Sequence, residues 1–240
     1  MSESNTTAPS FPEPVAPALL FDLDGTLIDS VYQHVIAWRN ALAKADIELS
    51  VWRIHRRIGM SGGLFVNALM RETGLRLSAE QVAEAVEDHA VEYLRQHSSV
   101  VPLPGATELL RTLSARGISW AIATSGQRRT AGRALELLGL PEDTPMVTRD
   151  QVRFAKPDPD LFLAAAAQLG VDPRHTVVIG DSVWDMLAAR RAGALGVGVL
   201  SGGYGRDELE RAGAYRVYAD PAELLARLDE LGVRGAEEGG

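Results

Sequence analysis

Two hydrophobic rhythms run through the chain. Short apolar runs at Ala18–Leu23, Ser119–Thr124, Thr176–Gly180 and Leu195–Val199 have the look of strands buried on both faces in a parallel sheet. Pro145–Val147 and Tyr215–Val217 read as short edge strands. Between these runs lie stretches of helical period at Ala106–Arg116, Arg129–Leu138, Pro159–Leu169 and Val183–Ala192. Each is closed by a glycine (Gly117, Gly139, Gly170 and Gly193), the expected stop signal. Strand-helix alternation of this kind predicts an α/β fold with a doubly wound parallel sheet.

From Ser30 to about Ser99 the alternation fails and only helical periodicity remains. Ser30 and Gln33 have capping-box spacing, followed by Val31, Val35, Trp38 and Leu42 on one stripe. Ser78 and Gln81 repeat the signal before Val82, Val86 and Tyr93. The pattern predicts an α-helical cap domain over 31–98, inserted into a core made of 18–30 and 99–232. Ligands bind at the carboxyl ends of strands in such sheets, so the insert is expected over the site. The stretches 1–17, rich in Ser, Thr and Pro, and 233–240 read as flexible tails.

Composition narrows the function. The 240 residues are 46% hydrophobic and 23% charged, as in an ordinary soluble protein. A net charge of −8 argues against nucleic acid as the main partner. The absence of cysteine excludes disulfides, thiolate metal sites and thiol nucleophiles, and suits a reducing cytoplasm. No apolar run approaches the length of a membrane span, and no Lys or Arg precedes Arg39 to start a secretory signal. The expectation is a cytoplasmic monomer or homodimer without a membrane partner.

The chemistry concentrates at Leu19-Leu20-Phe21-Asp22-Leu23-Asp24-Gly25-Thr26. On a strand Asp22 and Asp24 point the same way, about 6–7 Å apart. Two like charges at the mouth of a buried strand repel and resist desolvation. A cation between them relieves this, and so does chemistry that needs one ionised and one protonated. Thr124-Ser125-Gly126 follows another strand and offers a hydroxyl and backbone N–H groups to a phosphate oxygen. Lys156 is a lone cation between a loop and a helix start. Asp181 sits at a strand tip, and Asp185 follows one helical turn later. Clustered carboxylates without cysteine select a hard cation, best read as Mg²⁺. The set suits phosphoryl transfer.

In order along the chain, Asp22-x-Asp24-Gly25-Thr26, Thr124, Lys156 and Gly180-Asp181-x-x-x-Asp185 resemble the four motifs of the haloacid dehalogenase superfamily. The resemblance covers roughly residues 18 to 230. It points to the branch with a helical cap after the first strand, which holds phosphoglycolate phosphatase-like and β-phosphoglucomutase-like enzymes. It implies Asp22 as nucleophile and Asp24 as general acid and base. It implies Mg²⁺ held by Asp22, the backbone carbonyl of Asp24 and Asp181, with Asp185 in support. Thr124, with Ser125 beside it, and Lys156 would bind the phosphoryl group. The implied reaction is Mg²⁺-dependent hydrolysis of a small phosphorylated metabolite, a sugar phosphate or a phosphoglycolate-like acid, through an aspartyl phosphate.

Asp24 separates the chain from the dehalogenases, which lack the second aspartate. A mutase of the branch reads Lys-Gly-x-Ser-Arg in its cap loop, where this chain reads Ile58-Gly59-Met60-Ser61-Gly62. Hydrolysis is therefore expected over sugar-phosphate mutation. Lys44 is the only cap lysine, but the standard first motif argues against phosphonate cleavage. A catalytically silent binding protein is disfavoured because every catalytic position is filled. His34 and Trp38 read as packing at the cap hinge. Arg53, Arg56 and Arg57 share one face if helical, with His55 beside them. His55 and Arg56 are the candidate specificity residues.

Overall fold

The computed structural model describes residues 16–233, so the predicted tails lie almost wholly outside the described residues. The chain opens with β1 (Ala18–Phe21) and β2 (Ile28–Asp29), then α1 (Val31–Lys44), α2 (Val51–His55), α3 (Gly62–Thr73) and α4 (Ala79–Arg95). It continues through β3 (Val101–Pro102), α5 (Ala106–Ala115), β4 (Trp120–Ala123), α6 (Arg128–Leu137), β5 (Met146–Val147) and α7 (Asp160–Leu169). It ends with β6 (Thr176–Gly180), α8 (Val183–Ala192), β7 (Leu195–Val199), α9 (Arg206–Ala212), β8 (Ala214–Tyr218) and α10 (Pro221–Ala226).

Six strands form one sheet in the order β5-β4-β1-β6-β7-β8, every neighbouring pair parallel. The two predicted edge strands, now β5 and β8, do lie at the edges. Strand alternation sorts the core into two layers. Leu19, Phe21, Ile122 and Ile179 pack with Leu109, Leu113 and Leu135 on one face. Leu20, Ala121 and Val178 pack with Leu161, Phe162 and Ala189 on the other. Both faces are covered, which is why the strands lack polar alternation. The strand order reverses at β1, with β4 on one side and β6 on the other, so the crevice for a ligand opens at the end of β1.

Helices α1 to α4 build their own core. Val31, Val35, Trp38 and Leu42, the predicted stripe, pack with Ile54, Phe65, Val66 and Leu69. Burying each large apolar side chain contributes about 1.5–3 kcal/mol, enough to hold a small lobe together. The antiparallel pair of β2 and β3 joins this lobe to the sheet, with Ile28 opposite Pro102. The Ser78–Gln81 capping box forms as expected.

The Ser30–Gln33 box does not. Ser30 Oγ instead donates to Asp24 Oδ1 at 2.6 Å, and Gln33 Nε2 reaches the Ser99 hydroxyl at 3.2 Å. A carboxylate is a strong acceptor for a hydroxyl, and the Ser30 side chain makes that bond and none to the first turn of α1. Among the described residues no helix is long and apolar enough to cross a membrane.

Candidate active site

β1 ends at Phe21, two residues before the predicted end. The Asp22 N–H still bonds to the Ile179 carbonyl at 2.9 Å. The chain then turns, with the Leu27 N–H on the Leu23 carbonyl at 2.8 Å. Gly25 makes the turn at φ 78°, and a Cβ there would stand 2.6 Å from Val31 Cγ2 and 2.7 Å from Asp181 Oδ2. Only glycine fits that conformation and that space. The turn, rather than the strand pleat, brings Asp22 and Asp24 to the wall of one cavity.

Behind Asp22 lies a buried acidic cluster. Asp22, Asp181 and Asp185 each offer an oxygen within 4.8 Å of the others. Lys156 is completely buried, ion-paired to Asp22 and 2.8 Å from Asp185 Oδ1. Burial opposes its charge, but Asp185 and Asp22 raise its pKa above the usual lysine range. Asp185 Oδ2 accepts from the Ser182 N–H and hydroxyl at 3.1 and 2.5 Å, capping α8. Its other oxygen faces the lysine. Thr26 Oγ1 donates to Asp181 at 3.3 Å.

One lysine cannot balance three carboxylates. Burial pushes Asp22 up to about 7, against the pull of Lys156, and Asp185 and Asp24 push it further. Burial, with Asp185 and Asp22 adding to it, pushes Asp181 well above its ordinary value. A cluster of buried oxygen donors that resists ionisation fits a hard divalent cation, which would remove that penalty.

Asp24 sits in the opposite electrostatic setting. Its Oδ1 accepts from Ser30 and lies 3.0 Å from His34 Nε2. Burial pushes its pKa up, but the charge and hydrogen bond of His34 and the bond from Ser30 outweigh it, holding the carboxyl below its usual value. His34 stacks on Tyr93 at 3.9 Å, and its Nδ1 is 3.0 Å from Nε2 of His89 on α4. Burial, with His34 adding to it, holds His89 well below the usual histidine range.

On the β4 side, the Thr124 N–H bonds to the Val147 carbonyl at 3.0 Å, and its Oγ1 accepts from the Gly126 N–H at 2.9 Å. Ser125 Oγ is buried with no hydrogen-bond partner among the described residues. Both residues line the cavity with Asp22 and Asp24. A donor without an acceptor, beside a carboxylate pair, awaits an anionic oxygen. The cavity measures about 560 Å³ and runs from these residues up to Trp38, Ile58, Val82 and Val86 of the helical lobe.

The arginine-rich segment departs from expectation. α2 ends at His55, and the three arginines diverge. Arg57 is buried on Glu72 and the Arg53 carbonyl. Arg56 pairs with Glu208 and lies 4.2 Å over the Tyr204 ring. His55 Nε2 is 2.8 Å from the Gly202 carbonyl. Neither His55 nor Arg56 lines the cavity; both fasten the helical lobe to the sheet. Lys44 pairs with Asp88 and Glu92, away from the cavity.

Sequence reasoning placed His34 as packing and did not single out His89. A signal was present, because His89 falls on the same stripe as Val82, Val86 and Tyr93. A polar ring on an apolar face needs a buried partner, but nothing local names His34 as that partner.

Known proteins agree with this geometry. A family model described as haloacid dehalogenase-like hydrolase matches residues 16–193. A phosphoglycolate phosphatase of Rhodospirillum rubrum is 34% identical over 215 residues, covering 86% of this chain and 88% of that protein. Hexitol phosphatase A of Escherichia coli is 35% identical over 184 residues, covering 72% and 78%. The crystal structure of a hydrolase from Pseudomonas syringae is 55% identical with a TM-score of 0.88, covering 89% of this chain and 98% of that one. With a parallel sheet reversing at β1, paired aspartates at its tip and a helical lobe above them, the chain belongs to the haloacid dehalogenase-like hydrolases.

Proposed function

We propose that the protein is a Mg²⁺-dependent phosphatase that hydrolyses small phosphate monoesters through an aspartyl phosphate. The observation that carries the reading is the contrast between Asp22 and Asp24 on one cavity wall. Asp22 is backed by Lys156 and further carboxylates, whereas Asp24 is gripped by Ser30 and His34. Environments that push two carboxyl groups apart assign them different roles.

Mg²⁺ held by Asp22, the Asp24 carbonyl and Asp181, with Asp185 in support, would neutralise negative charge on the carboxylates and the transferring group. The Asp22 carboxylate attacks phosphorus as the bond to the leaving oxygen breaks. Lys156 lowers the Asp22 pKa against its burial, and with the cation bound the two charges would hold Asp22 anionic. Asp24 delivers a proton to the leaving oxygen, then takes one from the water that hydrolyses the aspartyl phosphate. The resting state favours its ionised form. A phosphoryl group against it raises its pKa and supplies the acid form for the first step. Ser125 Oγ and the Thr124 hydroxyl, each free to donate, meet the phosphoryl oxygens. The helical lobe excludes bulk water over the reacting atoms.

A sugar-phosphate mutase would have to grip a second phosphate. The position that would carry the arginine is Gly62, where even a Cβ would stand 3.0 Å from Val86 Cγ2 and 3.2 Å from Trp38 Cζ2. That favours hydrolysis. The test is phosphate release from a panel of metabolite esters with Mg²⁺, with Asp22→Asn as control. Release that persists in Asp22→Asn refutes the mechanism. No release from any ester, p-nitrophenyl phosphate included, refutes the phosphatase reading.

A further inference from the structure

The cavity continues well past the aspartates, and its far part is where a leaving alcohol would sit. Its upper wall is apolar, formed by Trp38, Ile58, Met60, Val82 and Val86. The charges on the rest of the lining are two carboxylates, Glu87 and Asp150, and one arginine, Arg149. Among the described lining residues there is no lysine and no other arginine. Arg149 belongs to the sheet side: its N–H bonds to the Gly126 carbonyl at 3.0 Å and its Nη1 to the Val152 carbonyl at 2.7 Å. The cap arginines Arg56, Arg57 and Arg95 are each paired to a glutamate. Among the described lining residues, no lysine or arginine comes from the cap.

We propose that the leaving group this enzyme selects is uncharged and of sugar or polyol size, a reading that rests on the phosphatase function above. A second anion in the leaving group would be desolvated against an apolar wall without a cation, which is costly. Glu87 is neutralised by Arg129, which leaves Asp150 to face such an anion as a like charge. Size points the same way. About 560 Å³ falls within the range of pockets that enclose drug-sized molecules, far more than a two-carbon acid fills. An amphipathic lining suits a polyol: carbon–hydrogen groups would meet Val82, Val86 and the edge of Trp38, and hydroxyls Gln127, Ser61 and His89.

A matched pair tests this. Sorbitol 6-phosphate and 6-phosphogluconate share length and hydroxyl count almost throughout, but only the second carries a carboxylate. The full chain with Mg²⁺ is expected to give a kcat/KM for the neutral ester about tenfold or more above that for the acid. Phosphoglycolate should be poorer than sorbitol 6-phosphate by at least that factor. A second arm adds the missing cation. Gly63 lines the cavity, and a Cβ there meets nothing within 4 Å. Gly63→Arg should narrow the ratio by raising turnover of 6-phosphogluconate. Equal or better turnover of the acid by the parent enzyme overturns the proposal, as does a ratio unmoved by Gly63→Arg. Cleavage of p-nitrophenyl phosphate with neither hexose-sized ester cleaved overturns it too, while the phosphatase reading stands. Cleavage of no ester removes the phosphatase reading itself.

Discussion

His34 Nε2 lies 3.0 Å from Asp24 Oδ1, so an imidazole from the first cap helix touches the acid of the sheet domain. The contact ties the cap to the group assigned to leaving-group protonation. The His34 ring is held flat on Tyr93 and its other nitrogen meets His89, which leaves it little freedom. Replacing His34 by Ala or Gln is expected to lower kcat about ten- to a hundredfold, part of the 10²–10⁴ general acid–base catalysis supplies. KM should change far less. Steady-state kinetics on any cleaved ester checks this, and an unchanged kcat would remove His34 from the reaction.

His89 orients His34 rather than reaching the reacting atoms. It stacks on Trp38 at 4.2 Å and offers Nε2 to His34. His89→Phe keeps the stack and removes the nitrogen. It should lower kcat several-fold with the thermal midpoint nearly unchanged, and His89→Gln should recover part of the loss. Equal losses in both variants would indicate packing alone.

Metal affinity and pH are coupled through Asp22. Its pKa rises from 3.8 unfolded to about 7 in the folded chain, with burial as the main cause. Between those values the unfolded chain releases a proton that the folded chain keeps. That contribution is present below about pH 4 and is lost as pH rises through about 7. A bound divalent cation restores stability by favouring the ionised form. Mg²⁺ should therefore raise the thermal midpoint more at pH 7.5 than at pH 5. A hundredfold excess over Kd is worth about 2.7 kcal/mol, or about 5–10 °C for a chain of this size. A midpoint shift independent of pH would contradict the linkage.

Lys156 is buried against two carboxylates, and removing one partner strands the others. Lys156→Met should destabilise the protein by about 3–5 kcal/mol and abolish turnover. Adding Asp22→Asn removes one stranded charge and should recover part of the stability but none of the activity. Denaturant titration of both variants reads this directly.

Arg56 and His55 fasten the cap to the sheet and do not line the cavity. Arg56→Ala is expected to alter kcat for all substrates by a common factor. The ratio of kcat/KM between two esters should stay constant, and a shifted ratio would return Arg56 to specificity.

The sequence by itself determined most of the framework. Unbroken apolar runs exist only where a strand is covered on both faces, so the parallel sheet was legible from Leu19–Phe21 and Thr176–Gly180. The stripe of Val31, Val35, Trp38 and Leu42 announced the inserted lobe because an amphipathic helix must bury one face. The aspartates and Lys156 stood out because charge beside an apolar run is costly and needs a reason. Only the tertiary structure decided which groups meet. Ser30 had the spacing of a helix cap, yet it bonds to Asp24, since local spacing does not reveal a stronger acceptor across the turn. His34 and His89 stand 55 residues apart in sequence, and the packing of α1 on α4 makes them neighbours. Arg56 looked like a receptor for an anion until Glu208, 152 residues away, claimed it. Periodicity records which face of an element is buried; it carries no record of what that face is buried against.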